Sequence, residues 1–144
     1  MTKVICLRIL QVVLAVLMSG AAKAELFVIV NSQNTVLTLN QVDIERIFLR
    51  KTKRFDNGLA AEPVSQDEDS KIRLEFNEKV LGRDQGKLKY YWSRKMFAGG
   101  DKPPPTLWDD DEVIDFVATH DGGIGYVSVK PADDRVKVVF KVKD

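Results

Sequence analysis

Pro63-Val64-Ser65-Gln66-Asp67-Glu68-Asp69-Ser70-Lys71-Ile72-Arg73-Leu74-Glu75-Phe76 is the stretch on which the fold turns. Residues 59–65 read as a short strand after a turn. Asp67, Asp69 and Ser70 are all suitable helix N-caps. Ile72, Phe76 and Val80 then recur every four residues, which predicts a helix as far as Leu81. Gly82 stands where a C-capping glycine belongs. A strand, a polar turn and a helix start in this order aim several backbone N–H groups and the positive end of a helix dipole at one spot. That geometry suits a small anion. It is also an ordinary way to begin a helix in an α/β protein.

Upstream, Glu25-Leu-Phe-Val-Ile-Val-Asn31 is apolar almost throughout and predicts a strand buried on both faces. Asn40 is a cap for a helix over 41–49, with Ile44, Ile47 and Phe48 on one face. A basic run, Arg50-Lys-Thr-Lys-Arg54, leads into the turn Phe55-Asp56-Asn57-Gly58. Downstream, residues 85–97 predict an amphipathic helix with Leu88, Tyr91, Trp92 and Met96 inward and Tyr90 at the edge. Gly99-Gly100 and Pro103-Pro104-Pro105 make an irregular crossing. Asp109-Asp110-Asp111-Glu112 opens a further helix whose Val113, Phe116 and Val117 face inward. Residues 124–129 and 136–142 read as strands, the last one half-exposed. The order βα βαα αββ is that of a layered α/β domain.

The first residues differ in kind. Lys3 and Arg8 flank an apolar run to Leu17, and Ala22-Lys23-Ala24 fits a small-x-small cleavage site. The expectation is a signal peptide over residues 1–24, a mature domain over 25–144, and a periplasmic location. The apolar run is too short for a membrane span, which needs about 20 apolar residues, so none is expected in the mature chain. Cleavage would leave 144 − 24 = 120 residues. Three of the 22 basic residues and none of the 21 acidic ones lie in the first 24, so the mature formal charge is 19 − 21 = −2. This balance does not suggest nucleic acid as a partner. The single cysteine, Cys6, falls in the leader, so the mature chain has no thiol nucleophile and no disulfide.

Catalysis finds little support. His120 is the only histidine and stands at the end of a predicted helix, where it suits the helix dipole better than a base role. One histidine makes no zinc constellation, and no Gly-x-Ser-x-Gly elbow occurs. Gly122-Gly123-Ile124-Gly125 is too compact, and precedes rather than follows its strand, for a dinucleotide fingerprint. The Asp109–Glu112 run could hold a cation, but four carboxylates at a helix start need no metal to be stabilising. No catalytic residue, metal or cofactor is expected.

Several segments together resemble the phosphate ABC transporter substrate-binding protein family. They are Phe27-Val-Ile-Val-Asn31, Ile47-Phe48-Leu49 before Lys51, Phe55-Asp56-Asn57-Gly58, Pro63-Val64 with the following helix, Trp92, Phe97-Ala-Gly-Gly100 and Gly122-Gly-Ile-Gly-Tyr-Val127. The resemblance implies a single α/β, three-layer-like domain corresponding to one lobe of a type II periplasmic binding protein. It implies a non-enzymatic protein that acts by binding. It also places the family's phosphate motif on the opening stretch. The motif's arginine falls on Gln66, its serine on Ser70, and its glycine and threonine on Lys71 and Ile72.

Two functions follow as expectations. In the first, Gln66, Ser70, Lys71 and Ile72 hold phosphate or another small oxyanion. In the second, the anion site is lost and the domain is an adaptor docking on an envelope protein such as a sensor, a porin or a transporter component. The lost arginine and Asp67-Glu68-Asp69 in front of Ser70 favour the second. A homodimer pairing two lobes to rebuild a cleft is a third arrangement.

Overall fold

A computed structural model describes residues 25–142. The signal peptide expected over 1–24 lies outside the described residues. The chain runs β1 (Leu26–Asn31), α1 (Gln41–Phe48), β2 (Glu62–Pro63), β3 (Ser65–Gln66), α2 (Lys71–Phe76), α3 (Gln85–Phe97), β4 (Thr106–Leu107), α4 (Asp110–Thr119), β5 (Gly123–Val127) and β6 (Val136–Val142). Four strands form a mixed sheet in the order β2-β5-β1-β6. β1 is antiparallel to both neighbours, and β2 runs parallel to β5.

β1 shows why the sheet carries helices on both faces. All six of its residues are buried. Leu26, Val28 and Val30 point to a core shared with Ile44, Ile47 and Phe48 of α1, Ile72 and Phe76 of α2, and Leu88 of α3. Phe27 and Ile29 point to the opposite core with Val113 and Val117 of α4. A continuous apolar strand is what two packed faces require, and the layered α/β domain expected from the sequence is present.

The glycines of β5 belong to the α4 face. A Cβ at Gly125 would lie 2.5 Å from Val113 Cγ1, and one at Gly123 would lie 2.9 Å from Val117 Cα. At Gly122 it would meet the Ala60 carbonyl oxygen at 1.8 Å. The Gly-Gly-Ile-Gly sequence therefore lets α4 and the chain before β2 close onto β5.

Three expectations are corrected. The strand over 59–65 is two short ones. Pro63 has no N–H to donate. Val64 N still donates to Ile124 O at 2.9 Å, whereas Ser65 N donates to Pro105 O at 2.9 Å, so the chain leaves the main sheet between them. β3 then pairs with β4, a short strand that directly follows the irregular crossing. The helix to Leu81 is α-helical only to Phe76 and continues as a π-turn over Asn77–Leu81, with Gly82 in the left-handed conformation as its cap. Met96 is not inward. It is exposed, Tyr91 and Trp92 are only partly buried against the core, and Leu88 is the one buried residue of α3.

Candidate functional site

Residues 63–76 fold into strand, turn and helix, with Ser70 as the N-cap of α2. Ser70 Oγ accepts from Arg73 N at 3.3 Å, and Ser70 N donates to Asp67 O at 2.9 Å. The backbone amides of Lys71 and Ile72 begin the helix. The Lys71 side chain is exposed, and that of Ile72 is buried in the core. Arg73 turns back so that Nη1 donates to Gln66 O at 3.0 Å.

Gln66 is buried, at 3% exposure. Its N–H donates to the Tyr126 hydroxyl at 3.1 Å, and its Nε2 donates to Tyr126 O at 2.9 Å and to Asp110 Oδ1 at 2.7 Å. A buried amide needs such partners, and both hydrogens of this side-chain amide are spent inside the fold. Tyr126 is wholly buried, stacks on Phe76 with ring centroids 4.0 Å apart, and shares a 2.6 Å hydrogen bond with Ser65 Oγ. Burial pushes its phenol pKa up, against smaller lowering effects from the hydrogen bonds to Gln66 and Ser65 and from the charge of Arg73.

Asp110, at the start of α4, faces the start of α2. Its Oδ2 accepts from Ser128 N at 3.0 Å and from Ser128 Oγ at 2.7 Å, and its Oδ1 takes the Gln66 amide. Three donors thus converge on a carboxylate supplied by the chain. Gln66, Ser70, Lys71 and Ile72, the four residues singled out from the sequence, border one open depression of about 500 Å³. Glu25, Glu75, Asp109 and Asp110 border it as well, with Trp108 and Ser128. Lys71 is the only cation among the lining residues and faces four carboxylates. Glu25 is paired with Lys141 at 3.0 Å.

Asp110, Tyr126 and Ser128 were not found from the sequence. Asp110 sits in a run of carboxylates that reads as dipole-matched as a whole, and nothing in the spacing separates it from Asp109, the cap that accepts from Glu112 N at 3.0 Å. The other candidates have local partners, apart from Arg50 Nε, which is buried without one. His120 stacks on Phe116 at 3.8 Å with Nδ1 2.8 Å from Phe116 O. In the basic run, Lys51 meets Glu45 at 4.0 Å, Lys53 meets Asp101 at 3.2 Å, and Arg54 Nη1 donates to Gly58 O at 2.8 Å. Among the described residues no group of three or more metal-ligating side chains occurs, and no helix is long and apolar enough to cross a membrane.

No family model and no curated protein matches the sequence. Solved structures do match. A candidate phosphate ABC transporter substrate-binding protein from Clostridium perfringens, solved with bound phosphate, aligns with a TM-score of 0.63 at 20% identity, over 81% of this chain and 45% of its own. An ABC-type phosphate transport receptor from Vibrio cholerae aligns at 0.61 and 16% identity, over 85% and 51%. PstS from Borrelia burgdorferi aligns at 0.62 and 10% identity, over 81% and 47%. The chain thus spans about half the length of these proteins, and at such identities the likeness is one of fold. In fold, the chain is similar to a single lobe of these substrate-binding proteins.

Proposed function

We propose that this chain is a non-enzymatic binding domain of the periplasm that works by docking on an envelope protein, its own Asp110 filling the place where the fold would hold an anion. The observation that carries this reading is the convergence of Gln66 Nε2, Ser128 N and Ser128 Oγ on the Asp110 carboxylate. Donors already held by an internal carboxylate are not free for phosphate. The surrounding carboxylates add like-charge repulsion, which disfavours a second anion. A desolvated phosphate needs many donors and a paired cation, and Gln66 supplies no charge where the family motif carries an arginine.

A second reading has its own support. The structurally similar protein from Clostridium perfringens holds phosphate, and Gln66, Ser70, Lys71 and Ile72 border one depression in this chain. In that reading the amides of Lys71 and Ile72, the Ser70 hydroxyl and the Lys71 ammonium hold a small oxyanion at the start of α2. Calorimetry at low salt separates the two. The docking reading expects no saturable heat at millimolar phosphate from the folded protein. Saturable heat that disappears in Lys71→Gln would establish the oxyanion reading instead.

A further inference from the structure

α3 is the least buried helix of the fold. Lys87, Tyr90, Arg94 and Phe97 follow one another at intervals of three, four and three residues, which lines them along one side of the helix, and Arg83 stands just ahead of its N-cap, Asp84. Phe97 is 97% exposed and Tyr90 65%. The Arg94 guanidinium sits 5.6 Å from the Tyr90 ring, and that of Arg83 sits 5.0 Å from the Tyr91 ring. A surface hollow of about 640 Å³ lies among Arg83, Lys87, Tyr90, Tyr91 and Arg94.

The charge of this stripe is unanswered by the fold. Among the described residues, none of Arg83, Lys87 and Arg94 has a carboxylate within ion-pair distance. Residues 83–97 hold five basic side chains and one acidic, a net of +4. The rest of residues 25–144 therefore carries −2 − 4 = −6. The basic stripe is local and does not reflect a basic protein. Arg, Tyr and Phe are also the residue types that anchor protein interfaces. Guanidinium groups already stacked on phenol rings lose less freedom on binding than free ones would.

We infer that the Arg83–Phe97 side of α3 is the docking surface of this domain and that its partner is an acidic protein surface with an apolar recess for Phe97. The inference rests on the docking reading above and names its surface. Charge complementarity selects an acidic partner. A lipid surface fits less well, because Leu88 is buried, Tyr91 and Trp92 pack partly against the core, and the exposed apolar side chains Met96 and Phe97 are confined to the end of the helix.

The test is photo-crosslinking of the full chain in the organism that produces it, with Tyr90→p-benzoylphenylalanine as probe. The expected result is a discrete protein adduct whose mapped contact peptide is rich in Asp and Glu. Combining the probe with Arg83→Glu, Lys87→Glu and Arg94→Glu should cut the adduct about tenfold, since like charges are then opposed. The same probe at exposed Val129, in the loop after β5, should give no such adduct. The charge-reversed chain should still melt cooperatively with a folded circular-dichroism spectrum, because among the described residues the three side chains make no hydrogen bond or ion pair and lose only exposed contacts with the Tyr90 and Tyr91 rings. Lipid adducts alone, an adduct of two copies of this chain, an adduct indifferent to charge reversal, or no adduct would each overturn the inference. Saturable phosphate binding with the Tyr90 adduct intact would sink the filled-site reading and leave the surface standing. No phosphate binding and no adduct would do the reverse.

Discussion

α4 and α3 are amphipathic helices of similar length on one small domain, and the fold treats them differently. α4 is pressed onto β5 closely enough that Gly123 and Gly125 admit no Cβ, its first turn is tied to Gln66 and Ser128 through Asp110, and Asn31 Nδ2 donates to Val117 O at 3.0 Å near its end. α3 is fixed to the body by buried Leu88, by Tyr91 OH donating to Leu49 O at 2.6 Å, and by Lys95 Nζ donating to Leu49 O at 3.2 Å and Arg50 O at 3.1 Å. The rest of α3 faces solvent with cations and aromatic rings. The difference separates residues that build the domain from residues left available to something outside it. It also moves the functional question away from the start of α2, where the sequence had placed it.

The largest effect is expected where the α4 half is tightest. Gly122→Ala brings a Cβ to 1.8 Å from the Ala60 carbonyl oxygen, a backbone atom that cannot step aside. Overpacking of this kind should cost about 3 kcal/mol, read by urea denaturation. A loss under about 0.5 kcal/mol, within the range of ordinary surface changes, would show that β5 and the segment before β2 are less closely joined than described.

Tyr126→Phe comes next. It strips Ser65 Oγ and Gln66 N of a shared buried partner and should cost about 2 kcal/mol. The same variant carries a pH signature. Burial holds the phenol above its ordinary value of 10.0, so the folded chain keeps this proton longer than the unfolded chain does. That contribution is complete below 10.0 and falls away as pH rises through the folded value. Between the two values, wild type should lose stability that Tyr126→Phe does not lose, as read from paired alkaline denaturation series.

Asp110→Asn should cost about 1.5 kcal/mol, the scale of hydrogen bonds to a charged acceptor. It tests whether the tie from α4 to β3 and to Ser128 is held by charge or only by shape. The α3 side should answer faintly. Arg94→Glu and Phe97→Ser should each stay within about 0.5 kcal/mol of wild type by thermal unfolding, as exposed residues outside the packed core do. A larger loss would mean that the stripe is structural.

Much of the packed body and little of the α3 surface was legible in the sequence. The unbroken apolar run of β1, the spacing of Ile44, Ile47 and Phe48, and the glycine-rich start of β5 report burial directly, because periodicity and absent side chains are what packing selects. The sheet switch at Pro63-Val64-Ser65 was not legible, since nothing local says which of two neighbours a two-residue strand will join. Met96 was misplaced because helical spacing gives a face but not how much of that face the body covers. The role of Asp110 was hidden for another reason. A carboxylate in a helix's first turn suits the dipole wherever it stands, and only the fold brings this one against Gln66 and Ser128.

The most direct test reads both regions at once. Amide resonances of the isotopically labelled protein would be followed while phosphate is added at constant ionic strength. With Gln66 and Ser128 already held by Asp110 and four carboxylates bordering the depression, Lys71, Ile72 and Ser128 should not move, and only small, non-saturating shifts should occur near Arg83, Lys87 and Arg94, whose cations attract any anion weakly. Saturating shifts at Lys71, Ile72 and Ser128 would contradict the account, showing that the depression accepts an oxyanion despite the carboxylate that occupies its donors.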